Sequence, residues 1–546
     1  MPPHDVEEAE PIGDTAVAVR IAAAAPAAML ERVRAAAVAL EAAGIPGVTD
    51  VVASPGRVTV VYDPATIAGC EPLARAVAAV VGTAATVTSA GTRHEIPVVY
   101  DGPDLDEVCT ARRLDRRDFC TAHCDPDYVV ESIGFLPGFG YLAGLPPALA
   151  MPRRTTPRTR VPAGSVGIGG GQTGVYPSAS PGGWNLVGRT DVVLFDPAAS
   201  RPSALAVGDH VRFTAADPPP PRRAPDAPRH PTTPAEPAIT VERPGLFTTV
   251  QDLGRPGHRS SGVPLSGAVD PVALRLANLL VGNPASAAAL ECTLVGPTLR
   301  FDRAAIVAQA GAVFGGLPMG RAVHVAAGSV LDLGHATAGC RGYLAVAGGI
   351  DVAPVLGSRS TLVVAGLGGC GGRPLVAGDR LAIGRPDGHA SPAFDATRTT
   401  GLDDPMLLTV SAGTARCTVR VIAAQADADW GVPVWSHAFR VSSRSDRMGV
   451  RLEGAAVAAP PADRASVAVV PGTIQLPPDG LPIILLADAQ TIGGYPVIGQ
   501  VIAADLPRVA QLRPGAEIGF HVVDVAAAHA ALRHQSAALA NRGMLR

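Results

Sequence analysis

The chain has 546 residues, 47% of them hydrophobic, 17% charged and 4% aromatic, with a formal net charge of −3. Single cores stop growing near roughly 250–300 residues, so several domains are expected. The charge balance offers no broad basic field for nucleic acid, and all 45 basic residues are arginines, which excludes a lysine-dependent P-loop, Schiff base or biotinyl anchor on this chain.

The first residues are acidic and lack a hydrophobic signal core, and the most apolar run, 16–30, is broken by Arg20 and Pro26. A cytoplasmic protein without a membrane partner is therefore expected. Residues 14–93 read as alternating strands and helices. A strand over 16–21 leads to a helix over 26–43 ending at Gly44. A hairpin follows over 48–52 and 58–62, turned by Pro55 and Gly56, then a helix over 72–81 and a strand over 84–89. That β-α-β-β-α-β order is ferredoxin-like.

Residues 94–215 give short strands between Gly/Pro turns, the pattern of a barrel or sandwich, with one helix near 104–115. Residues 216–237 carry a run of prolines and read as an extended polyproline-type linker. The all-β style then returns over 238–390 and 391–530. One helix is expected over 271–280, with Asp270 as N-cap and Pro271 at its first position. The eight cysteines are scattered, and Cys120-x-x-His123-Cys124 has too few partners nearby for a zinc site.

Two glycine strings, 169–174 and 366–371, match the letters of a dinucleotide fingerprint. Prolines follow both, so neither opens the helix whose N-terminus would hold a pyrophosphate. More informative is a recurrence. Gln172-Thr-Gly-Val-Tyr-Pro177 returns as Gln490-Thr-Ile-Gly-Gly-Tyr-Pro496. Each string frames a polar amide, a hydroxyl and a phenol between glycines, which suits a tight ligand-facing loop better than a core. The two loops are expected at matching positions in related barrels. Gln172, Gln475, Gln490, Asp488, Arg447, Arg255 and Arg359 sit in Gly-framed loops. Buried unpaired they would cost energy, so they either pair with one another or meet a ligand.

The ordered blocks carry a resemblance. They include Gly134-Phe-Leu-Pro-Gly-Phe-Gly-Tyr-Leu142, Ser180-Pro-Gly-Gly-Trp184, Gln251-Asp-Leu-Gly-Arg255, Ser266-Gly-Ala-Val-Asp270, Ser445-Asp-Arg-Met-Gly449 and Gly472-Thr-Ile-Gln475. In this order they resemble the allophanate hydrolase subunit 1 and subunit 2 families, fused head to tail over about 14–213 and 239–525. These families include the B and C subunits of bacterial ATP-dependent 5-oxoprolinase and the carboxyltransferase part of urea carboxylase. Ala268-Val269 and Val497 depart from the family pattern, the last where relatives often carry a basic residue.

The resemblance implies a mainly β protein with an α+β part: a ferredoxin-like N-terminal domain followed by three cyclophilin-like β-barrels. It implies ATP and Mg²⁺ as cofactors, the separate A subunit of 5-oxoprolinase as partner, and a small-molecule substrate. A homo-oligomer is compatible with it. Asp488 and Asp479 are the candidate metal ligands, and Arg447 the phosphate contact. Gln490, Thr491 and Tyr495 would orient a lactam, with Gly493 and Gly494 at the cofactor. Gln172, Tyr176, Gln475, Arg255 and Arg359 would line the substrate, with Gly171 and Gly174 beside the cofactor. Carboxyl transfer from biotin on another chain is the runner-up. A regulatory, kinase-inhibitor-like binding module ranks last, because the two modules are fused.

Overall fold

Short strands bounded by glycine turns build most of this protein. The structure is a computed structural model that describes residues 9–67, 69–84, 91–216, 237–385, 416–424, 434–458 and 466–540. At the N-terminus, Ala16–Arg20, Arg57–Tyr62 and Val48–Ser54 form an antiparallel sheet in that spatial order, with Glu10–Ile12 added at the edge. Two helices, Pro26–Ala43 and Cys70–Thr83, cover one face. Val33, Ala36, Leu40, Leu73, Val77 and Val81 bury their apolar stripes against Val17, Val19, Val58 and Val60. Gly44 ends the first helix in the left-handed region, at φ 54°. The strand expected over 84–89 and most of the proline-rich linker lie outside the described residues.

The next unit and the last one share a topology strand for strand. In the first, a seven-stranded sheet runs Asn185–Arg189, Ser165–Gly169, Gln172–Val175, Gly140–Ala143, Tyr128–Ile133, His210–Ala215 and Arg93–Val98. A bridge between Val99 and Arg189 brings its two edges together. In the last, Val497–Val501, Thr473–Gln475, Ile483–Leu485, Gly449–Glu453, Phe439–Val441, Glu517–Val522 and Cys417–Ala423 close into a barrel in the same order. In both, the strands that come first and last in the chain pair in parallel. Both carry a separate two-stranded ladder, Arg158–Val161 with Ser180–Gly182 and Val467–Ala468 with Ile492–Gly493.

This alignment corrects the register expected from sequence. Gln172 opens an interior strand of the first barrel, whereas Gln490 precedes the accessory ladder of the last. The true repeat is Gly182-Gly-Trp-Asn-Leu-Val-Gly-Arg189 against Gly493-Gly-Tyr-Pro-Val-Ile-Gly-Gln500. Gly188 and Arg189 pair with Val166 and Ser165, just as Gly499 and Gln500 pair with Ile474 and Thr473, and each ladder has a bulge at the next step.

Between these barrels lies a unit of two five-stranded sheets around one core rather than a single closed barrel. Its helix Pro271–Leu280 is capped as expected, the Ala273 N–H donating to Asp270 at 2.9 Å. Near 104–115 two helices stand instead of one, Leu105–Arg112 and Arg116–Cys124. A helix that the sequence pattern did not signal, Val525–Ala540, packs on Ile502 and Ala504. Among the described residues no helix is long and apolar enough to cross a membrane.

Candidate functional site

The loop after Tyr128–Ile133 leaves its barrel and meets the last one. Gly134 lies so close to Ile492 that a Cβ there would overlap the isoleucine side chain, and this glycine lets the two modules touch. Gly138 N–H donates to Ser261 O at 2.9 Å. Leu136, Phe139, Tyr141 and Trp184 then share a core with Val52, Ala468 and Ile492, which binds three units together.

A cavity of about 260 Å³ opens beside this seam. The first module gives it Phe135, Tyr141 and Arg153. The last barrel gives Asp446, Met448, Gly449, Arg451, Gln475, Ile483, Leu485, Gln490 and Ile492 to Tyr495. Gln475, Gln490, Gly493, Gly494 and Tyr495 are thus the expected residues that come together. Gln475 is buried, and its Nε2 donates to Tyr495 O over a long 3.5 Å. A Cβ on Gly493 would collide with that amide, so this glycine makes room for Gln475. Gln490 is half-buried, and its side-chain amide has no hydrogen-bond partner among the described residues. Thr491 is buried with an unpartnered hydroxyl, and its carbonyl accepts from Val469 N–H at 3.0 Å. Tyr495 stands at the rim, 44% exposed.

The lining also holds residues that the sequence pattern did not single out. Arg153 and Arg451 are both exposed and have no ion-pair partner among the described residues. Asp446 is the lone carboxylate that the described residues place on the wall, and it accepts from Met448 N–H at 2.8 Å and Gly449 N–H at 3.1 Å. Burial pushes the Tyr141 phenol up to about 12, against the pull of Arg153. Tyr141, Asp446 and Arg451 sit in or beside the ordered sequence blocks, so part of the signal was present, but only the fold shows which block ends converge.

Arg447 and Asp488 pair with each other and do not line this cavity. The Arg447 guanidinium donates to both Asp488 oxygens at 2.8 and 3.0 Å, to Gly267 O at 2.6 Å and to Glu291. Tyr343 adds a 2.6 Å hydrogen bond to Glu291. Burial alone would raise the Glu291 carboxyl and lower Arg447. The attraction within the cluster reverses both, holding Glu291 low and Arg447 high. This buried cluster fastens the middle unit to the last barrel.

Asp479 is exposed and caps its own turn, accepting from Leu481 N–H at 3.1 Å. Among the described residues no three His, Cys, Asp or Glu side chains group to hold a metal. His123 is likewise a core residue. Burial pushes it down to about 3, and its ring nitrogens meet Tyr100 and Thr173 hydroxyls at 2.8 and 3.0 Å.

The remaining expected residues stand elsewhere. Gln172 donates to Glu131 at 3.0 Å, and Tyr176 is buried in the aromatic core of the first module. Gly171 is the exposed tip of a hairpin, and Gly174 lies under Phe139 and Trp184 with no space for a ligand. Arg255 is fully buried against the carbonyls of Ser360 and Val355. Arg359 pairs with Asp351 at 3.3 Å.

Residues 8–205 match the family described as carboxyltransferase domain, subdomain C and D, and residues 261–522 match carboxyltransferase domain, subdomain A and B. The chain is 41% identical over 302 residues to the C subunit of 5-oxoprolinase from Escherichia coli K12, covering 52% of this chain and 90% of that protein. It is 55% identical over 122 residues to the B subunit of 5-oxoprolinase from Escherichia coli O157:H7, covering 22% of this chain and 56% of that protein. A crystal structure of TTHA0988 superposes with a TM-score of 0.78 at 36% identity, covering 93% of this chain and 99% of that one.

Proposed function

This chain belongs to the carboxyltransferase-domain family, with the relatives of the B and C subunits of 5-oxoprolinase joined in one polypeptide, and from that membership we propose that it carries out the ATP-dependent activation of 5-oxo-L-proline. In this reading the γ-phosphoryl group of ATP moves to the lactam oxygen and ADP departs. Water then adds to the activated carbon and the C–N bond opens to leave an acyl phosphate, which a second water hydrolyses to glutamate and phosphate with the help of a separate A subunit.

One observation carries the proposal: the cavity at the module seam sets two side-chain amides beside two guanidinium groups. A lactam presents one N–H donor and one carbonyl acceptor on the same edge, and a carboxamide can answer both. Gln475 and Gln490 would hold that edge, with Tyr495 closing the rim. Phosphoryl transfer needs positioning and charge neutralisation, and Arg153 or Arg451 would supply the charge. Mg²⁺ would enter with the nucleotide.

The test is direct. The chain, mixed with its A subunit, is expected to convert 5-oxoproline to glutamate with one ADP per turnover and an absolute need for ATP. Full turnover without ATP would overturn it. The family description favours a second reading, carboxyl transfer. With no lysine in the chain, carboxybiotin would have to come from another protein.

A further inference from the structure

We infer that Arg153 selects for the carboxylate of the ligand, so that the two modules divide one small molecule: the first takes the acid and the last barrel takes the amide. The inference rests on the lactam reading above and adds the acid-binding residue to it.

Charge is the first ground. The described residues give the cavity wall two guanidinium groups and one carboxylate, Asp446, and so a net positive charge. Neither arginine is spent on an ion pair among the described residues. A cavity of this size with surplus positive charge fits a small anion, and guanidinium is the group that grips a carboxylate with two parallel hydrogen bonds.

Placement decides between the two arginines. Arg451 and Asp446 stand on one hairpin, closed by Asp446 N–H donating to Gly449 O at 3.2 Å, so an acid of the same wall offsets Arg451. Arg153 comes from the opposite module with Phe135 and Tyr141, and among the described residues that side of the lining has no acid. Its field acts on the Tyr141 and Tyr176 phenols, which places its charge over the aromatic side of the seam. The amides of Gln475 and Gln490 lie on the other module. A ligand spanning the cavity would therefore present an acid to one wall and an amide edge to the other.

Calorimetric binding on the full chain separates these roles, using 5-oxo-L-proline and 2-pyrrolidinone, the same lactam without its carboxylate, each with a non-hydrolysable ATP analogue. Wild type is expected to prefer 5-oxoproline by about 10- to 100-fold. Arg153→Gln should erase that preference by weakening 5-oxoproline alone, and Arg153→Lys should restore part of it. Arg451→Gln should keep the preference. Equal binding of both compounds by wild type, or a preference that survives Arg153→Gln and vanishes with Arg451→Gln, overturns the assignment. Turnover with the A subunit tests the lactam hydrolase reading separately. If ATP-dependent ring opening is absent while the Arg153-dependent preference persists, that reading fails and the carboxylate site stands.

Discussion

The two seven-stranded barrels have the same strand order, the same parallel pair of chain-first and chain-last strands and the same bulge, yet one is filled where the other is open. In the first, Trp184 is buried over Gly167 and Gly169, so tightly that a Cβ on Gly169 would lie 2.6 Å from the indole. At the matching positions of the last barrel, Gln475 replaces Gly167 and Tyr495 replaces Trp184. The glutamine is buried, the tyrosine stands 44% exposed, and a cavity remains beside them. A fold sets where a pocket can form. Side-chain volume at two positions decides whether it does, and the filled copy contributes a wall to the open one.

The largest expected effect comes from the cluster that anchors the open barrel. Arg447→Leu leaves Glu291 and Asp488 buried without their cation, and should cost about 3–5 kcal/mol in denaturant unfolding. Loss of turnover at unchanged stability would instead return Arg447 to the reaction. The aromatic pair breaks the comparison more selectively. Trp184→Ala empties the filled copy and should cost about 3–5 kcal/mol, whereas Tyr495→Ala should stay within about 0.5 kcal/mol, as surface changes do. Equal losses would mean the two barrels are packed alike.

A smaller effect depends on pH. Asp14 is buried, and desolvation raises its carboxyl to about 6, with Asp505 adding to the rise and the Ala503 N–H and Arg420 opposing it. A carboxyl whose folded value lies above its unfolded value favours the native state while protonated. That stability is fully present below the ordinary value of 3.8 and is lost as pH rises through about 6. His529, whose ring nitrogen meets the Asp14 carbonyl, is held low by burial and works in the opposite sense. Subtracting Asp14→Asn from wild type isolates the aspartate. The variant should gain about 2 kcal/mol relative to wild type between roughly pH 4 and 7. A flat difference would show that Asp14 is not strained.

Over the described N-terminal residues the order strand, helix, hairpin, helix was legible because alternation, a Pro-Gly turn and a helix-ending glycine are local signals. The duplication was legible only in part. Gln172 and Gln490 begin similar strings, but register is set by the Gly-Gly-aromatic step and the bulge that follows, and shared letters do not report strand pairing. Arg447 beside Asp446 reads as a ready phosphate contact. The sequence could not reveal that Glu291, 156 positions away, joins it in a buried cluster. Arg153 and Arg451 were invisible as a pair for the same reason: their meeting depends on Gly134 admitting Ile492.

Gln490→Leu tests the central claim that the open barrel holds the reacting ligand. The lost amide should lower kcat/KM for ATP-dependent 5-oxoproline turnover about 10- to 100-fold, with the melting temperature little changed because Gly493 and Gly494 still shape the loop. Near-normal turnover in a protein whose melting temperature has collapsed would contradict the account and make Gln490 part of the scaffold.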